Sequence, residues 1–432
     1  MRVSRKILAK PILAQGVSAI FALAAVVVLA GCTEPITEQP VVFTNSLGDQ
    51  VQELAMTTPR ANHGAAELPD GRVLICGGTV NANIGGVLSS AEVFDPATQK
   101  FSPTGSMSVA RMGQTATVLR NGKVLVVGGQ RNIGFRTALA SAEIYDPATG
   151  AFQNTASMSV AREGHTATLL RDGRVLVAGG SSNGTVTIDS AEIYDPTASL
   201  WISAGHMTVP REAHVAVLLG SGKVLIAGGG RGGMPGGYIS YQNGEIFDPT
   251  TGRFAAIADH MRSDRVGAAA VLLDTGKALI IGGKSGKVLY GPGARNIASF
   301  TPLDTSEFFD PESMTFLPAA PMRVPHYLGT ATLLGNGHVL VVGGWRMQGN
   351  VIVGMMDAEE FTPGMPGEYA SVGPLHVGRL LNSATLLPDG NVMVAGGVDQ
   401  NGKVTSSVSF YSPSRRLFER SDTPATPMSA AN

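Results

Sequence analysis

Apolar residues in this chain fall into short blocks, not long helical stripes, and between residues 56 and 420 one layout keeps returning. His165-Thr-Ala-Thr-Leu-Leu alternates small polar and apolar positions. It is followed by Asp172-Gly173 and then by a continuous apolar run in Arg174-Val-Leu-Val-Ala. Ser190-Ala-Glu-Ile-Tyr, Asp195-Pro-Thr and Leu200-Trp-Ile complete the unit. Such β-prone runs, bounded by Gly, Asp and Pro, predict four short antiparallel strands with a tight hairpin at Asp172-Gly173.

The unit repeats seven times. Gly-Gly pairs begin at Gly77, Gly128, Gly179, Gly228, Gly282, Gly343 and Gly396. Six residues before each pair stands a turn glycine: Gly71, Gly122, Gly173, Gly222, Gly276, Gly337 or Gly390. Seventeen residues before it stands Arg60, Arg111, Arg162, Arg211, Arg265, His326 or Arg379, and twenty-one before it a Met, or Leu375 in the last unit. The second half carries Glu-x-aromatic-x-Pro, as in Glu92-Val-Phe-Asp-Pro96 and Glu245-Ile-Phe-Asp-Pro249. The motif weakens to Glu359-Glu-Phe-Thr-Pro363 and Ser409-Phe-Tyr-Ser-Pro413. An aromatic follows each proline: Phe101, Phe152, Trp201, Phe254, Phe316, Tyr369 and Phe418.

A strand, Gly-Gly, a tyrosine-type strand and a tryptophan-type strand at a period near fifty resemble the kelch repeat over residues 56 to about 420. Phe or Tyr stands at most of the Trp sites. The resemblance implies an all-β, seven-bladed propeller with four antiparallel strands per blade, and the strand pattern leads to the same architecture independently. The recurring Arg and Glu are expected to form ion pairs between strands or blades. The Met and aromatic series are expected to pack between blades. Residues 42–56 form a faded half-repeat, although the C-terminus already supplies both outer strands of unit seven. That copy pairs elsewhere, adds an outer strand or serves as linker.

The N-terminus has a different character. Arg2, Arg5, Lys6 and Lys10 precede an apolar stretch from Gly16 to Ala30, which ends Leu29-Ala30-Gly31-Cys32. The stretch is short and rich in small residues for a spanning helix. It resembles the lipobox of bacterial lipoproteins, which implies cleavage before Cys32 and lipidation of that cysteine. The expected organisation is a signal peptide over 1–31, a tether over 32–55, a propeller over 56–420 and a C-terminal tail over 421–432. The expected location is the bacterial cell envelope, with the protein lipid-anchored; in a Gram-negative cell, Thr33 after the cysteine favours the outer membrane by family analogy.

Composition narrows the options further. Glycine (55) and proline (25) make up nearly a fifth of 432 residues, with two cysteines and a formal charge of −1. Loss of residues 1–31 removes four cations and no acid, which leaves about −5; nothing resembles a nucleic-acid-binding surface, although a local basic loop stays open. Lipidation of Cys32 leaves Cys76 without a disulfide partner. It occupies a repeat position filled elsewhere by Val, Ala or Ile, so it reads as a small buried hydrophobe.

Most variation lies in one loop class. From Gly-Gly to Pro the distance runs 19, 19, 17, 21, 29, 20 and 17 residues, while the other connections are nearly constant. These loops, between strands two and three, share a face with the connections from strand four to the next blade. Tyr, Trp and Arg dominate binding hot spots. The candidate partner-binding residues are therefore Arg131, Phe135 and Arg136 in blade two, and Arg231, Tyr238 and Tyr241 in blade four. Blade five adds Tyr290 and Arg295, and blade six adds Trp345 and Arg346.

Other motifs carry less. Gly228-Gly-Gly230-Arg-Gly-Gly233 fits GxGxxG but opens no helix after its strand. His63, His165 and His214 share one position near the start of the innermost strand and are read as structural, so no metal or other cofactor is expected. The expected function is a monomeric, non-catalytic binding module that recognises an envelope protein or glycan. Kelch-type propellers include copper radical oxidases and sugar epimerases. The alternative is therefore an envelope sugar-processing enzyme, epimerase- or mutarotase-like or galactose-oxidase-like.

Overall fold

A computed structural model describes residues 54–81, 86–132, 137–182, 186–232, 238–289, 297–348 and 351–419, with two further short strands at Val42–Thr44 and Gln50–Gln52. The lipobox and Cys32, most of the tether and the 421–432 tail lie outside the described residues. Seven four-stranded antiparallel sheets follow one another along the chain. Blade three shows the plan, with strands Thr166–Leu169, Val175–Ala178, Ser190–Asp195 and Leu200–His206. Its register pairs Thr166 with Ala178, Val177 with Glu192 and Tyr194 with Trp201.

Local chemistry explains these boundaries. Gly173 takes φ +90°, the left-handed conformation that ends the turn between the first two strands. At the end of the third strand Asp195 accepts a bond from the Thr197 amide at 2.8 Å, which turns the chain at Pro196. Asp95, Asp146, Asp248 and Asp310 do the same in their blades.

Burial follows strand order. Every second strand, from Val73–Cys76 to Val392–Ala395, is buried along its length because both faces meet neighbouring blades. Cys76 sits there, 0% exposed, among Leu74, Ala91 and Val126, as its repeat position implied. Between blades three and four, Leu176, Ile193, Met207, Ile226 and Phe247 form one cluster. The Tyr194 and Trp201 rings pack at 5.0 Å within blade three. The innermost strands are only half-buried and touch their neighbours in sequence around the ring, so they line a central channel.

The ring closes where the last innermost strand, Ser383–Leu386, meets the first, Gly64–Glu67. Blade seven has a divided outer edge. Leu417–Glu419 pairs with Phe410–Ser412 at one end of the third strand. At the other end Ala55 bridges Ser407, and the Val408 amide donates to Leu54 O at 3.1 Å. The N-terminal copy therefore contributes only Leu54–Met56 to this edge. Val42–Thr44 and Gln50–Gln52 pair with each other instead.

Six of the seven connections into a blade are pinned by a buried arginine. Arg162 donates to Glu192 at 2.8 Å and to Gly179 O and Ser190 O at 2.9 Å. Glu192 also accepts the Ser159 amide at 2.8 Å, so its charge is doubly engaged. Arg60–Glu92, Arg111–Glu143, Arg211–Glu245 and Arg265–Glu307 repeat the device, each pair at 2.6–2.9 Å with side chains at most 3% exposed. In blade six His326 replaces the arginine, donating from Nδ1 to Gly343 O and placing Nε2 3.4 Å from Glu359. In blade seven Arg379 finds Ser407 and Ser409 in place of a carboxylate. Arg162→Ala should cost about 3–5 kcal/mol, because a buried Glu192 is left unpaired. Arg379→Ala should cost about 1–3 kcal/mol, because only neutral acceptors are abandoned. Denaturant unfolding of the two variants would check the order, and equal losses would count against the ion pair as the main source of the difference.

Candidate functional site

The connections that follow these arginines build one face of the ring, called the crown here. The residue after each arginine position lies beside the residue after each Gly-Gly pair. Ala61 bridges Thr79, Met112 bridges Gln130, Glu163 bridges Ser181, Glu212 bridges Gly230, Val266 bridges Lys284 and Leu380 bridges Val398. In blade six the Trp345 amide donates to Tyr327 O at 3.1 Å. The variable loops are thus held to the connections by backbone pairing, and both classes lie on one face as their strand order requires.

The next residue in each connection turns left-handed. Asn62, Gly113, Gly164, Ala213, Gly267, Leu328 and Leu381 have φ between 48° and 64°. Gly113 N donates to Asn62 O at 2.9 Å, Gly267 N to Ala213 O at 2.9 Å, Leu328 N to Gly267 O at 3.1 Å and Asn62 N to Leu381 O at 2.9 Å. This succession of backbone bonds rims the channel mouth. Glycine takes the conformation freely, whereas each leucine gives up roughly 1–2 kcal/mol. Leu328 and Leu381 pack with Tyr327, Trp345, Leu380 and Val398, so the mouth is apolar over blades six and seven.

The long loops of blades four and five do not stand apart. Gly230–Arg231, Tyr238–Ser240, Lys284–Leu289 and Ile297–Pro302 form one four-stranded sheet, in which Tyr238 pairs with Val288. Asp264 fastens this sheet, accepting from the Ser240 and Ser285 hydroxyls and from the Gly286 amide.

The candidate residues separate within this framework. Arg131, Arg231 and Arg346 are exposed. Tyr241 is half-buried, with the Arg211 guanidinium 5.6 Å from its ring centroid. Tyr238 is 2% exposed and faces Phe300, and Trp345 is 7% exposed with its ring edge-on to Tyr327 at 5.4 Å. These two rings support the crown from beneath. Phe135, Arg136, Tyr290 and Arg295 lie outside the described residues.

Sequence reasoning passed over a buried polar group at the same level. Lys284 is 1% exposed, with its ammonium 4.1 Å from the Phe300 ring centroid and 4.6 Å from that of Tyr327. Burial lowers its pKa to about 8. Glu212 is buried near Tyr238 and Tyr327, whose phenols are pushed upward by burial first and by its charge. A signal was available. The position after each arginine holds Ala61, Met112, Val266 and Leu380 in four units but Glu163, Glu212 and Tyr327 in the others.

The shared histidine position is a set of staples between blades. His63 Nε2 meets Ser383 Oγ at 2.9 Å, His165 Nε2 meets Thr115 Oγ1 at 3.1 Å and His214 Nε2 meets Thr166 Oγ1 at 2.9 Å. Gln114, at the same position in blade two, donates to Cys76 O at 2.7 Å. Burial lowers the pKa of His63 and of His165 to about 3, and that of His214 well below its usual value, so all three are neutral.

Among the described residues no three His, Cys, Asp or Glu side chains converge as metal ligands. Burial raises the Cys76 thiol to about 11, deep in the core.

Comparison with known proteins places this architecture. Residues 62–283 match the family model described as the KLHDC2/KLHL20/DRC7 Kelch-repeats domain. A structure described as that of YjhT superposes with a TM-score of 0.55 at 15% identity, covering 73% of this chain and 98% of that one. A fungal alcohol oxidase of the AA5 family, in complex with copper, superposes with a TM-score of 0.60 at 15% identity, covering 87% and 78%. Both likenesses are of fold. No curated protein matches the sequence.

The histidine staples set an acid limit. Their folded pKa values lie below the unfolded value near 6.5, so the folded state excludes protons that the unfolded chain takes up. Stability is then lost as pH falls from about 6.5 towards 3, by about 1.4 kcal/mol per pH unit for each histidine. His165→Gln, which copies the residue at Gln114, should remove that much of the slope. Urea unfolding at a series of pH values would measure it, and an unchanged slope would refute the assignment.

Proposed function

The chain belongs to the kelch-repeat domain family, and from that premise we propose that it is a non-catalytic binding module held at the bacterial cell envelope by a lipid on Cys32. In this reading the crown recognises a protein or glycan of the envelope. One observation carries the proposal: the scaffold repeats nearly unchanged seven times, while sequence and length vary in the loops of one face. A rigid scaffold that gathers its variable loops on one side is the usual form of a recognition surface. Arg131, Arg231 and Arg346 are exposed there, with Tyr238 and Trp345 buried below them to stiffen the loops.

The anchor rests on Leu29-Ala30-Gly31-Cys32 and on the cations before it. One acyl chain holds a protein marginally and two or three hold it stably, at roughly 0.8 kcal/mol per buried CH₂. Enzymatic sugar processing is the second reading, supported by the fold shared with an alcohol oxidase. Its residues would be single crown side chains, such as Lys284, Tyr327 and Glu212.

Two measurements test the proposal. Radiolabelled palmitate should enter the full chain and be lost in Cys32→Ala; persistent label would show that the lipobox has been misread. Envelope partners captured by the wild-type chain should be lost when the loops of blades four and five are shortened. Capture that survives trimming would remove those loops from the recognition surface.

A further inference from the structure

Charge on the crown is uneven. The position after each Met, or after Leu375, is equivalent in all seven connections. In blades one to six its backbone amide donates to the glutamate of the blade that follows, as Thr57, Ser108, Ser159, Thr208, Arg262 and Arg323 show. The first four are neutral. Arg262 and Arg323, leading into blades five and six, are exposed cations, and His376 precedes blade seven. Exposed Arg231, Arg346 and Lys403 stand on the crown loops of blades four, six and seven. Along this arc Asp304 is the exposed acid among the described residues; Asp357 and Asp399 are half-buried, Asp399 accepting the Lys403 amide, and Asp264 is engaged by two serines and an amide.

Apolar exposure accompanies the cations. Ile239 is 38% exposed beside Arg231 on the joint sheet, and Met347 is 50% exposed beside Arg346. The opposite face carries four cations in pairs with acids, Lys123–Asp146, Arg174–Asp172, Lys223–Asp248 and Lys277–Asp310, while exposed Arg120 and Arg171 there donate to backbone carbonyls. The mature chain is acidic as a whole, so the basic arc is a local departure.

The chain also joins the ring next to this arc. Leu54–Met56 lies against the crown end of the third strand of blade seven. Residues 33–53 separate it from Cys32; fully extended, 21 residues span at most about 75 Å, and the pairing of Val42–Thr44 with Gln50–Gln52 shortens that reach. Exposed arginines beside aliphatic side chains suit an interface with anionic headgroups. The phosphates take the guanidinium groups, and the aliphatics enter the headgroup boundary.

We propose that the crown arc from Arg231 to Lys403, with Ile239 and Met347, seats on the anionic phospholipid surface of the membrane that holds the tether. This goes beyond the binding-module reading and rests on its lipid anchor only for the location of the membrane. Seating by two contacts, tether and arc, fixes the tilt of the ring, which a single flexible tether leaves free.

The test uses the mature chain, residues 32–432, with Cys32→Ala so that no acyl chain contributes. Its co-sedimentation is measured with vesicles of phosphatidylcholine alone and of equimolar phosphatidylcholine and phosphatidylglycerol. Binding is expected only to the anionic vesicles and should disappear near 1 M salt, where the Debye length is about 3 Å. Each arginine near such a surface contributes roughly a fivefold change in partitioning, so Arg231→Glu with Arg346→Glu should weaken binding at least ~25-fold. Arg120→Glu with Arg171→Glu, on the opposite face, should bind like the parent. Absence of binding to anionic vesicles, or equal binding by the crown variant, would overturn the proposal. So would equally tight binding to soluble polyglutamate, which would assign the arc to an acidic protein. Palmitate labelling of the full chain reads the anchor alone, so the two readings fail separately.

Discussion

A buried guanidinium against a buried carboxylate organises this ring. Four strands make a sheet by themselves, but a sheet becomes a blade only when the connection from its predecessor is held across its end. Arg162 and its equivalents do this by donating to two backbone carbonyls and one glutamate, while the glutamate accepts amides from the same connection. Burying two charges costs several kcal/mol per ion, and the cost is offset only where the remaining donors and acceptors are satisfied. Desolvation accordingly lowers the pKa of Arg111, Arg162, Arg211 and Arg265, with their glutamates opposing it. The pair places each connection more than it adds stability over an apolar alternative.

The crown inherits its shape from that constraint. Because the arginine is fixed, the next residue pairs with the variable loop and the one after it turns left-handed at the channel rim. Seven copies of this arrangement give a backbone rim whose side chains are free to differ. Blades six and seven, where His326 replaces the arginine and Ser409 the glutamate, are also where the rim becomes apolar through Leu328 and Leu381. The departures from the repeat lie together, next to the divided edge where the chain enters and the ring closes.

Chemistry around the crown is distributed in layers. Tyr238, Trp345 and Lys284, with half-buried Phe300 against Tyr238 and Lys284, form a layer that supports the loops, and Arg231, Arg346, Ile239 and Met347 form the layer that meets the surroundings. Residue type alone did not separate them. Tyr, Trp and Arg are all hot-spot residues, but an aromatic in a Gly-rich loop removes more apolar surface from water by folding inward than an arginine does. The joint sheet of blades four and five makes that inward packing feasible, because it closes over the rings.

Repetition made the architecture legible without coordinates. The fixed spacings from Met to Arg to turn glycine to Gly-Gly specify strand number, turn position and buried second strands, because each depends on contacts within one blade or with an identical neighbour. The roles of Arg60 and Glu92, of Cys76 and of the aromatic series follow from the same regularity. What lay outside the repeat was decided only by tertiary structure. Two loops 46 residues apart, holding Ser240 and Gly286, become one sheet. The N-terminal half-repeat contributes three residues to blade seven, and Tyr238 is buried while Arg231 is exposed. These outcomes depend on which non-identical segments meet once the ring has closed, and no local pattern encodes a contact whose partner is set by the curvature of the whole ring.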